Sequence, residues 1–185
     1  GTSGTCDDRF AFTGNYSPAG QMSTIAALAA AARALKDYNP EVSAKALKLA
    51  VKLWDENFEA ADPSKNQNSN NRWMRGEQRT SAAIQLWRAT GEQKYYDLLM
   101  SKIEYIRKDA LRFGDNVLQH TVSAKNDFPE QAWADTLFMA AFLMLRVGVM
   151  LKDEEMIDDA LNQWYWHVKY LQNPSSGLWY HGYNN

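Results

Sequence analysis

The sequence predicts an all-α fold built from helical hairpins. Three features carry that expectation. Apolar residues recur at helical spacing over six stretches, proline and glycine mark where those stretches start and stop, and tight turns alternate with long polar connections. No β-rich region is expected before the last dozen residues.

The first helix is expected from about Pro18 to Lys36, with Met22, Ile25, Ala29 and Ala32 on one face. Residues 1–17 read as a loop or extended N-terminal segment, because Gly1 to Thr5 is small and polar. Asn39-Pro40 restarts the chain, proline being suited to a first helical position, and a second helix runs to about Phe58. Val42, Ala46, Leu49, Leu53 and Trp54 form its stripe. An Asn- and Ser-rich loop, Asp62 to Arg72, precedes a third helix from Trp73 to Ala89, which Thr90-Gly91 closes. The fourth runs from Lys94 to about Leu111. A polar connection from Gly114 to Glu130 leads to the fifth, Gln131 to Leu151. The sixth spans Asp153 to Leu171 and stops before Asn173-Pro174.

The fifth helix carries Leu137, Phe138, Met139, Phe142, Leu143 and Met144, so it is expected to be an inner helix buried on most sides. The second, fourth and sixth carry more charge and read as outer helices. Turns at Asp37-Tyr38-Asn39, Thr90-Gly91-Glu92 and Lys152-Asp153 fall roughly 54 and 61 residues apart, a hairpin repeat. Short connections at one end and long ones at the other suit a solenoid or closed ring, with function at the long-loop end.

Composition narrows the function classes. With 45% hydrophobic and 23% charged residues over 185 positions, the chain can bury a core without covalent staples. A net charge of -2 and a pI near 5.9 leave no basic footprint, so no nucleic-acid partner is expected. The longest apolar run, about ten residues around Ala26, is expected to be too short to span a membrane. Cys6 is the single cysteine, which rules out an internal disulfide or a cysteine metal cluster. His120, His167 and His181 are scattered, and no metal, phosphate-loop, dinucleotide or serine-elbow motif occurs, so no cofactor is expected. The 7 Trp and 9 Tyr suit either sugar-stacking platforms or a large helical core.

Three segments carry a family likeness. Trp133-Ala134-Asp135-Thr136-Leu137-Phe138-Met139, then Gly148, Asp158 to Gln163, and the ending Gly177-Leu178-Trp179-Tyr180-His181-Gly182 resemble the unsaturated uronyl and rhamnogalacturonyl hydrolases, glycoside hydrolase families 88 and 105. Leu86 to Tyr96 is similar to a helix-turn-helix shared by many (α/α)6 glycosidases. Ala26 to Lys36, continuing into Pro40 to Ala50, is similar to family 9 cellulases. The resemblance implies an (α/α)6 toroid of six hairpins, of which this chain supplies three, about half the ring. Residues 1–185 would then form one incomplete catalytic-type domain. Its expected partners are an oligosaccharide substrate and either the missing half of the ring or a second copy.

Asp135 is the leading candidate for catalysis. About one turn into an apolar helix, a carboxylate is costly unless paired or placed at a cleft, and a dry setting would suit it to donate a proton. Its alternative role is to complement the helix dipole. The resemblance implies that Asp135 protonates C4 of a C4=C5 double bond in a terminal unsaturated uronate, after which water adds at C5. Trp133 is expected as a stacking wall or a hydrophobic anchor, and His181, with Trp179 beside it, as a substrate contact or an exposed terminal residue. Glu77 is the second carboxylate candidate, although Arg75-Gly76-Glu77-Gln78-Arg79 departs from the family pattern. Arg75 and Arg79 would hold a uronate carboxylate or act as surface charge. His167, mid-helix among aromatics, reads as a surface or packing residue. Asp135, Trp133 and His181 are expected to meet, since an antiparallel hairpin returns both chain ends to one face. The alternatives are a cellulase-like (α/α) glycosidase and a non-catalytic helical-repeat carbohydrate-binding module.

Overall fold

The computed structural model of the chain describes residues 17–62, 72–120 and 128–184, and for 72–77 the backbone only. The expected N-terminal segment, apart from Ser17, lies outside the described residues. Two compact units divide the chain, Gly1–Leu99 and Met100–Asn185.

The first unit holds α1 (Pro18–Leu35), α2 (Pro40–Asn57) and α3 (Arg72–Thr90). Local chemistry sets their ends. The Ser17 side chain accepts the Gly20 N–H, Asn39 accepts the Val42 N–H, and a proline follows each cap at the first helical position. Gly91, at φ 74°, ends α3 in the left-handed region that glycine adopts without strain. The small residues Ala29, Ala50, Ala82 and Ala83 let the helices approach closely, while Met22, Ile25, Leu86 and Tyr95 fill the core. α1 packs on both α2 and α3. Trp54 stacks on Phe58 at 4.6 Å and meets Tyr95 edge-on at 5.1 Å.

Between the units' cores runs α4 (Gln93–Glu104), prolonged by a π turn at Tyr105–Asp109. The expected helix to Leu111 therefore stops earlier, and Arg112–Phe113 (β1) pairs antiparallel with Val117–Leu118 (β2). This hairpin was not expected. Asn116, with φ at 77°, makes its tight turn.

The fifth helix also starts later than expected. Gln131–Trp133 is a strand (β3) paired with Gly182–Asn184 (β4), and helix begins at Ala134. It runs as α5 (Ala134–Thr136), a π turn (Leu137–Ala141) and α6 (Phe142–Leu151). Lys152, left-handed at φ 57°, turns the chain into α7 (Glu154–Leu171), whose N-cap Asp153 accepts the Met156 N–H.

Two expectations about the fifth helix are corrected. It is not buried on most sides, since Phe138 is 75% and Val149 60% exposed. Within its unit α6 packs chiefly on α7, which covers one flank. The longest apolar segment is also here rather than near Ala26. Ala134–Leu151 has a mean hydropathy of 1.7, long and apolar enough by composition to cross a membrane. A core helix meets the same criterion, and Asp135 and Arg146 interrupt this one.

On the buried face of α7, His167 is fully enclosed, with Nδ1 2.8 Å from the Gln163 carbonyl. Burial holds its pKa below the ordinary 6.5. Below that value the unfolded chain binds the proton more readily, so stability falls with acidification. The melting temperature is expected to drop between about pH 7 and 5, and to drop less in His167→Leu. Melting curves independent of pH, or an unchanged dependence in the variant, would overturn this.

Candidate active site

Trp133 closes β3 and caps the following helix at its N-terminal end. Strand pairing sets it opposite Gly182, and the Ala134 N–H donates to the His181 carbonyl at 2.9 Å. The two segments thus meet at the start of the helix. The His181 ring approaches the Trp133 edge at 5.1 Å, and Asp135 lies two residues beyond Trp133.

The structure adds a residue that sequence reasoning missed. His120 leaves the β2 end with its N–H donating to the Gln131 carbonyl at 2.8 Å. Its imidazole lies parallel on the Trp133 indole, centroids 4.3 Å apart and planes 10° apart. Nδ1 is 3.2 Å from Asp135 Oδ1 and 3.1 Å from Thr136 Oγ1. His120 and His181 are therefore not scattered; both flank one indole. Among the described residues, however, no group of three or more His, Cys, Asp or Glu could hold a metal ion.

Phe128 completes the cluster, 5.3 Å from Trp133 and 5.4 Å from His120. With one indole face taken by His120, Trp133 acts here as the anchor that holds the histidines around Asp135. Its Nε1–H donates to Gln131 Oε1 at 3.0 Å.

Asp135 does not sit in the dry setting expected for it. Its side chain is 45% exposed, against 18% for His120, because it occupies the first turn after a strand rather than a buried helix interior. Burial is the main cause holding the His120 pKa below 6.5, and the nearby His181 acts in the same direction. The Asp135 carboxylate opposes them.

The remaining candidates separate from this cluster. Trp179 pairs through its backbone with Gln172, beyond the end of α7, and its ring is 40% exposed. Arg79 is not a free surface charge. It pairs with Asp62 at 3.2 Å and lies over the Phe58 ring at 3.9 Å, so its guanidinium is engaged within the first unit. The side chains of Glu77 and Arg75 lie outside the described residues. A groove lined by Arg107, Arg112, Asp159 and Trp166 includes none of the site residues. Its arginines are already paired with Asp153, Glu155 and Asp159.

Solved structures place the fold class. A family 105 glycoside hydrolase of C. acetobutylicum ATCC 824 matches 92% of this chain at 25% identity and a TM-score of 0.59. A structure from Salmonella enterica serovar Paratyphi A, described as a possible member of the GH105 family, matches 89% at 18% identity and a TM-score of 0.56. The chain is accordingly an all-α assembly of helical hairpins from an (α/α)6 toroid, with about half of the ring present.

Residues 26–185 match the model of Glycosyl Hydrolase Family 88, and the chain belongs to that family. One family thus covers Ala26 to Ala50, the stretch similar to family 9 cellulases. Over 101 residues the chain is 44% identical to the unsaturated rhamnogalacturonyl hydrolase YesR of Bacillus subtilis (strain 168). The chain spans 29% of that relative's length and 40–46% of the two solved structures.

Proposed function

We propose that this chain is part of a glycoside hydrolase acting on oligosaccharides that end in an unsaturated uronate. The observation that carries this reading is the family 88 match, which runs through the segment presenting Asp135 beside His120, Trp133 and His181. The printed activity of the Bacillus relative supports the same substrate class.

In this reading Asp135 in its protonated form delivers a proton to C4 of the C4=C5 double bond. Water adds at C5 and returns a proton to the carboxylate. The resulting hemiketal collapses and releases the rest of the sugar chain. This differs from displacement at the anomeric carbon between two carboxylates. An exposed Asp135 can reach a sugar, while the Trp133 cluster excludes water from one side. We place the activity in the protein carrying the full set of hairpins, the remaining ones covering the apolar flank that Phe138 and Val149 expose.

The test is the ultraviolet absorbance of an unsaturated uronate disaccharide, which hydration of the conjugated double bond removes. Its loss on incubation with the protein is the expected result. Hydrolysis of saturated β-glucans without that loss would favour a cellulase-like enzyme. Binding without turnover would favour a carbohydrate-binding module.

A further inference from the structure

We infer that a polar clamp from α7, centred on Gln163, positions His120 against Asp135. Gln163 is fully buried, on a helix face otherwise lined by Met156, Ala160, His167 and Leu171. Its side chain is turned entirely to the β1–β2 hairpin. Oε1 accepts the Leu118 N–H at 2.8 Å, and Nε2 donates to the Asn116 carbonyl at 3.1 Å. One turn earlier, Asp159 holds the other strand: both its oxygens accept from Arg112, each at 3.0 Å. Arg112 also donates to the Ile106 carbonyl at 3.3 Å.

A pair of two-residue strands has too few ladder bonds to hold its own position. The clamp supplies what the ladder lacks. From Leu118 the chain passes through buried Gln119, whose Oε1 accepts the Glu130 N–H at 2.8 Å, to His120 on the Trp133 ring. His120 is therefore fixed from β3 on one side and from α7 on the other. An apolar residue at position 163 would avoid the desolvation cost of a buried amide but leave Leu118 N–H and Asn116 C=O unpaired. Asp159 and Gln163 lie in the segment that carries the family likeness, yet neither touches Asp135. They are positioning residues. Their bearing on turnover rests on the reading of Asp135 as proton donor, since misplacement of about 1 Å at a reacting group costs up to roughly 10²-fold in rate.

The test uses the 185-residue chain with ¹³C-labelled histidine, resolving three imidazole resonances. The His120 resonance is shifted by the parallel Trp133 ring, and that of His181 by its edge. In Gln163→Met, which keeps the volume and removes both hydrogen bonds, His120 is expected to lose its ring-current shift while His181 keeps its own. An unchanged His120 resonance would overturn the proposal. If Gln163→Met loses both shifts or fails to fold, Asp159→Asn decides: a shift confined to His120 supports the clamp, and any other pattern overturns it. In turnover of the unsaturated disaccharide, Gln163→Met should lower kcat with KM unchanged. If the unaltered protein removes no double bond, the functional reading fails, and the resonances still judge the clamp.

Discussion

Replacing Asp135 by Asn is expected to lower turnover of an unsaturated uronate disaccharide by at least about 10²-fold, the usual loss for a missing general acid. Asparagine keeps the shape of the side chain and can still hydrogen-bond His120 Nδ1. It has no carboxylic proton to deliver to C4. The folding cost should be small, because the side chain is nearly half exposed and lies in a first helical turn. Turnover and a thermal melt should be measured together in the protein spanning all hairpins. Near-normal turnover in a folded variant would exclude Asp135 as the proton donor. His120→Asn, by contrast, should lower the rate without abolishing it, since His120 orients the carboxylate rather than supplying the proton.

Gly148→Ala is the substitution expected to cost the most stability. A Cβ at this position would lie 2.9 Å from Ile157 Cγ1, 3.2 Å from the Ile157 nitrogen and 3.3 Å from the Asp153 carbonyl. Two of those atoms are backbone in the tight turn between α6 and α7, where the Asp153 N–H already donates to the Gly148 carbonyl at 2.9 Å. Alanine is the better helix former by up to about 1 kcal/mol, which favours the variant. Overpacking of a close contact costs about 1–3 kcal/mol, and backbone atoms cannot swing aside as a side-chain end can. The clash should win, leaving a net loss of about 1–2 kcal/mol and a lower melting temperature. A variant that melts higher than the parent would show that α7 can move away freely.

Both predictions depend on features that differ in how legible they were. Gly148 could be singled out from the sequence as part of the family likeness, but its close neighbours could not. Ile157 and Asp153 come near it only because Lys152 adopts a left-handed turn. Asp135, Trp133 and His181 could be grouped on the argument that a hairpin brings its ends together. The contact is made by a strand pair, β3 with β4, that local pattern does not reveal. Each strand is three residues long and its partner lies some fifty positions away. For the same reason Gln131 to Trp133 read as the first turn of a helix. His120 was passed over because it ends a polar connection with no periodicity, and its value comes from Trp133, thirteen positions on.

The sequence by itself determined the helical hairpins, their caps and the family. These follow from local rules: Ser17-Pro18, Asn39-Pro40 and Asp153 start helices, Gly91 ends one, and apolar spacing sets the faces between them. Only the tertiary structure decided the surroundings of Asp135. Its exposure, the imidazole against it and the Gln163 clamp behind that imidazole arise from contacts between segments 15 to 47 positions apart. Such contacts form through backbone hydrogen bonds and ring packing, which draw on chain groups that every residue shares. They leave no spacing in the sequence from which they could be read.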